Sequence, residues 1–361
     1  MGTRGIPNRY GGFEQAATYI SAGLVEKGHL VTVYNSHTHP YKDTKWKNVN
    51  IVHCYDPGWL GTTGQFLYDL NCIRDAKKKE FDVWLFFGYT SSSIWWRFFP
   101  AKVVLISNMD GLEWRRSKYN AMVRKFLQYA EKLAVRHSHF LIADSTAIRS
   151  YLQKKYNTTS TYIPYGAELY KDEDAQLLVE YGIQQYDYYL ILARMEPENN
   201  IEMILDGFSK SKTRKKILVI GNIDTSFGEY LKGKYQTDTR IIFVTSIYDA
   251  RKLHTLKLYC SLYFHGHSCG GTNPSLLEAM ASNAPVCAHE NPFNRAILGE
   301  DAYYFSSAAD ITERIETDSD GISEKIMVAN NLVKISEQYN WPTIVTAYEE
   351  LITNCYYSCN K

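Results

Sequence analysis

His265 to Ala281 read HGHSCGGTNPSLLEAMA, and the rest of the chain takes its meaning from this run. Its front half, through Gly270, Gly271, Thr272 and Asn273, lacks apolar periodicity and reads as a tight loop. Asn273 is a good N-cap and Pro274 suits a first helical position, so a helix is predicted to begin there. Leu276, Leu277 and Met280 give that helix a buried stripe. A glycine loop feeding a helix N-terminus offers backbone N–H groups, including that of Ser275, and the positive end of a dipole. Both suit a phosphate. Glu278, one turn in, can accept hydrogen bonds from a ribose diol. On local chemistry alone, a structural glycine turn before a core helix fits these residues equally well.

Outward from this run the chain alternates strand and helix, which predicts an α/β fold. Strands are expected at Leu30–Ser36, Asn48–Tyr55, Phe81–Gly88, Lys102–Ser107, His139–Ser145 and Thr161–Glu168. A polar linker is expected over Glu168–Gln176. More strands follow at Tyr188–Ala193, Lys215–Asn222, Arg240–Asp249 and Pro285–Asn291. A glycine loop with Gly11 and Gly12, where backbone can approach a ligand closely, leads a helix from about Phe13 to Lys27. The strand Tyr188–Ala193 delivers Arg194, whose planar and permanently charged donor fork suits a diphosphate. Ile247 and Tyr248 stand where they can pack on a base. The aromatic run Trp95, Trp96, Phe98 and Phe99 reads as core packing under a loop, with a membrane interface as the alternative.

At 361 residues the chain is long enough for two domains, and 45% hydrophobic with 22% charged residues is ordinary globular composition. Net charge is +1, but residues 1–170 carry +9 and the remainder −8. A basic first half could face an anionic head group, or its charge could simply be solvated. No apolar run is long enough to span a membrane and no signal sequence is visible. Seven scattered cysteines suit reduced thiols in a cytoplasm. Asp172-Glu-Asp174 and Asp318-Ser-Asp320 read as solvated charge. His265, His267 and Cys269 alternate without a fourth ligand, so no metal is expected.

Four blocks stand in order along the chain: GTRGIPNRYGGFE (Gly2–Glu14), DGLEWRRSKY (Asp110–Tyr119), ARMEPENNIE (Ala193–Glu202) and the central run. Together they resemble retaining glycosyltransferases of family four, and more closely their bacterial rhamnosyltransferase branch. The resemblance implies a GT-B fold, two Rossmann-like domains facing a cleft. These would be residues 1–168 on the acceptor side, 177–338 on the nucleotide-sugar side, and 339–361 as a helix returning to the first domain. It implies a donor site of Gly11, Gly12, Arg194, Asn199, Tyr248, His267, Gly270, Gly271, Thr272, Asn273, Ser275 and Glu278. Asp110 and Glu113 are implied for acceptor orientation or proton transfer, Arg194 for the leaving diphosphate, and Arg115, Arg116 and Lys118 for an anionic acceptor.

The chain departs from the family pattern at four places. Asp110 stands where much of the wider family carries a histidine, the local pattern matching the DGLEW variant of the rhamnosyltransferase branch. Asn199 stands where a second cation is usual, and Gly270 where a first glutamate contacts the transferred hexose. An apolar strand usually precedes GTRGIP, whereas here Met1 does; a start assigned too far downstream, or a shortened chain, is the expectation. The implied activity is transfer of a sugar, with dTDP-rhamnose favoured as donor, to a polyprenyl-diphosphate-linked or saccharide acceptor. It would be metal-independent and without cofactor or nucleic acid, in the cytoplasm or at the inner face of the membrane. A nucleotide-sugar epimerase of the same fold and a non-catalytic nucleotide-sugar binding protein are the alternatives.

Overall fold

Alternating strands and helices build two units, Met1–Tyr165 with Trp341–Lys361, and Gly166–Asn340. The computed structural model describes residues 1–9, 11–109, 111–116, 119–170, 173–317 and 321–359.

The first unit holds α1 (Gly12–Glu26), β1 (Thr32–Ser36), β2 (Lys45–Trp46), β3 (Val49–Cys54), α2 (Gly64–Ala76), β4 (Val83–Phe87), β5 (Val104–Asn108), α3 (Ala121–His137), β6 (Phe140–Ala143), α4 (Thr146–Tyr156) and β7 (Thr161–Tyr162). Its strands form two sheets, ordered β1-β3-β2 and β4-β5-β6-β7. The four N-terminal residues tie them together. Phe87 N–H donates to Met1 O at 2.9 Å and Ser36 N–H to Arg4 O at 3.0 Å. The strand predicted from Leu30 begins at Thr32, and Leu30 is 96% exposed. Phe99 packs on Trp84 and Phe86, and Trp95 donates to the Phe66 carbonyl, so this part of the aromatic run belongs to the core.

The second unit holds β8 (Tyr188–Leu192), α5 (Ile201–Lys210), β9 (Lys216–Ile220), α6 (Ser226–Lys234), β10 (Ile241–Val244), α7 (Ala250–Leu258), β11 (Leu262–His265), α8 (Pro274–Ala281), β12 (Val286–His289), α9 (Pro292–Leu298), β13 (Tyr303–Phe305), α10 (Ala308–Glu316) and α11 (Gly321–Glu337). All six strands are parallel, in the order β10-β9-β8-β11-β12-β13. Parallel strands covered on both faces need near-continuous apolar sequence, as YYLIL and KILVI supply. Ile191, Ile204, Phe208, Ile217, Val219 and Phe264 share one of the cores against this sheet. Of the segment read as a linker, Glu173 and Asp174 bond to this unit: Tyr259 OH donates to Glu173 and Arg251 pairs with Asp174.

The last helix, α12 (Trp341–Cys359), packs within the first unit on α1. Trp341 stacks on Tyr19 with centroids 4.4 Å apart, and Asn108 donates to Tyr348 OH at 3.0 Å. Among the described residues no helix is long and apolar enough to cross a membrane.

Candidate functional site

Numbered from β8, the second sheet runs 3-2-1-4-5-6, so its order reverses between β8 and β11. Ligands of open α/β sheets bind outside the carboxyl ends of the strands at such a reversal. The loop after β8 carries Arg194 to Asn200 and the loop after β11 carries Gly266 to Asn273. The two loops are bonded to each other. Asn200 Nδ2 donates to Gly266 O at 2.8 Å, and Ser268 donates to Glu198 O through N–H at 3.1 Å and Oγ at 2.8 Å. A Cβ on Gly266 would lie 2.0 Å from the Asn199 carbonyl oxygen, so only glycine permits this closeness. Nothing local in the sequence marks Gly266 or Asn200, because their role lies in a partner loop 66 residues away.

Within that frame the central run behaves as its residues predict. Asn273 caps α8, with Pro274 first in the helix and Leu276, Leu277 and Met280 fully buried. The cap consumes two Ser275 groups: Asn273 Oδ1 accepts its N–H at 3.0 Å and its Oγ–H at 2.8 Å. Ser275 therefore shapes the helix start. Asn199 has a similar place, buried with Nδ2 donating to the Arg194 carbonyl at 2.7 Å, so it shapes the loop that carries Arg194. The Arg194 side chain is 65% exposed and meets Glu196 only at 3.6 Å. Tyr248 is exposed at 76%.

Glu278 is held by a residue that the sequence did not flag. Lys257 on α7 is 2% exposed, and its Nζ lies 2.6 Å from Glu278 Oε2. Only the fold brings the two together across 21 positions.

His265 and His267, on one side of β11 and its extension, stack with ring centroids 4.4 Å apart. Asn291 and Asn294 both donate to the His267 carbonyl, at 3.1 and 3.2 Å. His265 is fully buried, and burial, then the neighbouring His267 and His289, hold its pKa well below the usual imidazole value. An unfolded histidine titrates near 6.5, and below that pH the unfolded chain takes up a proton that folded His265 refuses. Stability is thus expected to fall on acidification, by up to about 1.4 kcal/mol per pH unit below about 6.5. His289, also depressed by burial, acts in the same direction. Urea midpoints for the protein and for His265→Leu, taken from neutral to mildly acidic pH, read this directly. The variant should show the shallower slope; equal slopes would remove His265 from the account.

In the first unit, Gly11 caps α1 and Gly12 opens it, and Glu14 is buried and accepts the Arg4 N–H at 2.9 Å. The GTRGIP loop is pinned to β1 by Asn35, which accepts from Ile6 N–H at 3.0 Å and donates back to Ile6 O at 2.8 Å. In the DGLEW block, Asp110 and Lys118 lie outside the described residues. Glu113 pairs with Arg116 at 2.7 Å, while Arg115 is exposed beside the Trp114 ring. Trp114 Nε1 donates to Glu131, a carboxylate buried on α3 that also receives Tyr151, Lys155 and Tyr156. Among the described residues no three His, Cys, Asp or Glu side chains gather as a metal site.

A sheet of this order with its loops joined at the reversal, in a chain with a second α/β unit, is the architecture of the GT-B glycosyltransferases, and this chain has that fold. Residues 1–168 match a sequence family described as Domain of unknown function (DUF1972). Sucrose-phosphate synthase from Thermosynechococcus elongatus superposes with a TM-score of 0.80 at 15% identity, over 96% of this chain and 94% of that one. Anabaena Alr3699/HepE in complex with UDP-glucose superposes with a TM-score of 0.74 at 16% identity, over 96% and 97%. In sequence, alpha-1,3/1,6-mannosyltransferase ALG2 of Candida glabrata is 23% identical over 343 residues, 78% of this chain and 74% of that protein.

Proposed function

We propose that this chain is a glycosyltransferase whose second unit binds the nucleoside diphosphate of a sugar donor. One observation carries the reading. At the reversal of the sheet, the Arg194 loop and the glycine loop are bonded together, and Glu278 stands one helical turn beyond. A diphosphate placed there meets a guanidinium fork and a helix N-terminus, and a ribose diol meets a carboxylate. The UDP-glucose complex of a protein of this fold and the mannosyltransferase relative favour the same chemistry.

In the transfer, an acceptor hydroxyl oxygen bonds to the anomeric carbon as the bond from that carbon to the diphosphate oxygen breaks. Charge grows on the leaving oxygen, so Arg194 and the α8 N-terminus act more strongly in the transition state than in the ground state. The hydroxyl proton passes to the leaving phosphate or to Asp110, with Glu113 as second choice. The reading includes retention of configuration and independence of metal. It names dTDP-rhamnose as donor: Gly270, at φ +132° with open space around it, offers no side-chain acceptor for a sugar hydroxyl. The acceptor is a polyprenyl-diphosphate-linked or other saccharide at the cytoplasmic side of a membrane, met by Arg115, Arg116 and Lys118.

Thermal shifts with dTDP, UDP and GDP, each alone and as sugar conjugates in chelator, test the donor site. Stabilisation by a nucleotide sugar, reduced in Arg194→Ala, is expected, with dTDP-rhamnose giving the largest shift. Binding without transfer to any saccharide acceptor would favour a binding protein, and rearranged donor without transfer an epimerase. Silence across the panel would overturn the assignment.

A further inference from the structure

Helix α3 displays an outward face that its own unit leaves largely exposed. Met122, Phe126 and Tyr129 are 82%, 38% and 56% exposed. At 100° per residue they fall within one narrow stripe, about 10 Å long. Lys125, Lys132 and Arg136 lie along one side of that stripe and are all exposed. The helix has one carboxylate, Glu131, and that is buried at 1% exposure, so every exposed charge on α3 is positive. Phe126 also meets Phe66 of α2 at 5.6 Å, and the next residue, Leu67, is 42% exposed, which carries the apolar surface onto a second helix.

A contiguous exposed apolar patch rimmed by polar residues marks an interaction site. Large apolar side chains flanked by lysine and arginine, on a helix too polar to insert, match a bilayer interface rich in anionic lipid. We infer that the outer face of α3 docks this protein on an anionic membrane surface, with Met122, Phe126 and Tyr129 entering the interface and Lys125, Lys132 and Arg136 meeting lipid phosphates. The three cations form no ion pair among the described residues, so their charge is available to such phosphates. The aromatic run at Trp95–Phe99 has a different place: Trp96 stacks on His137 at 4.0 Å, and Phe99 packs inward.

The inference extends the membrane-side acceptor proposed above, but vesicle binding is read without donor or acceptor, so either can fail while the other stands. The full chain is sedimented with phosphatidylcholine vesicles, alone or with about one third phosphatidylglycerol. Binding to the anionic vesicles only, lost at high salt, is expected. With each surface cation worth about fivefold in partition, K125Q/K132Q/R136Q should weaken it about a hundredfold. Met122→Ser with Phe126→Ser should abolish it while leaving the melting temperature in place. If those serines disturb folding, Phe126→Trp provides a second readout, its emission shifting to the blue on anionic vesicles. Absent binding, equal binding to both vesicles, or no response to the variants would overturn the inference. So would a concentration-dependent dimer that Phe126→Ser dissociates, since a second copy would then be the occupant.

Discussion

Glu278→Ala is expected to remove nucleotide binding and, separately, to destabilise the second unit by about 3–5 kcal/mol. The second effect comes from Lys257. Its ammonium is buried on α7, with Glu278 Oε2 2.6 Å away. Removing the carboxylate strands that charge, whereas taking both partners away together does not. Lys257→Met retains the packed stem without the charge and leaves Glu278, one quarter exposed, with access to water. Accordingly Lys257→Met/Glu278→Ala should recover most of the stability lost in Glu278→Ala, and none of the nucleotide affinity. Chemical denaturation and nucleotide titration of the four proteins form a double-mutant cycle that separates the two roles. If affinity returned with stability in the double variant, Glu278 would be a structural partner of Lys257 and would have no direct part in binding.

The other large effect is expected at Glu131. Its carboxylate accepts from Tyr156 OH at 2.6 Å, Tyr151 OH at 2.7 Å, Lys155 Nζ at 2.9 Å, Trp114 Nε1 at 3.1 Å and Tyr89 OH at 3.4 Å. These donors come from α4, from the turn Glu113–Arg115 and from the segment after β4, so one buried group ties three elements to α3. Glu131→Leu leaves several donors without an acceptor and should cost about 3–5 kcal/mol, enough to threaten folding of a marginally stable unit. Glu131→Gln retains one acceptor oxygen and should cost less. Because Trp114 belongs to the block proposed to meet the acceptor, the Gln variant should also raise the acceptor KM more than it changes donor affinity. A Gln variant with unchanged stability and KM would show that the packing of Trp114, without its hydrogen bond, is sufficient.

Local chemistry alone made much of this protein legible. Asn273, Pro274 and the apolar spacing behind them specify a capped helix start because those side chains act within their own turn. Near-continuous apolar runs such as YYLIL specify buried parallel strands for the same kind of reason. Arg194 could be placed at a strand end from sequence, since the strand before it is short and strongly patterned. What the sequence could not show is which ends become neighbours. Sheet order is a matter of long-range pairing, and the reversal between β8 and β11 emerges only when six strands assemble. The close approach at Gly266, the engagement of Asn199 and Ser275 in shaping loops, and the buried Lys257 behind Glu278 all depend on that assembly. The same holds for the outer stripe of α3, whose residues the sequence spaces along one helix face but whose exposure is decided by what the neighbouring elements leave uncovered. Caps and strand patterns are local energies; ligand-facing and buried groups are sorted by tertiary packing, which sets the solvation of each charge.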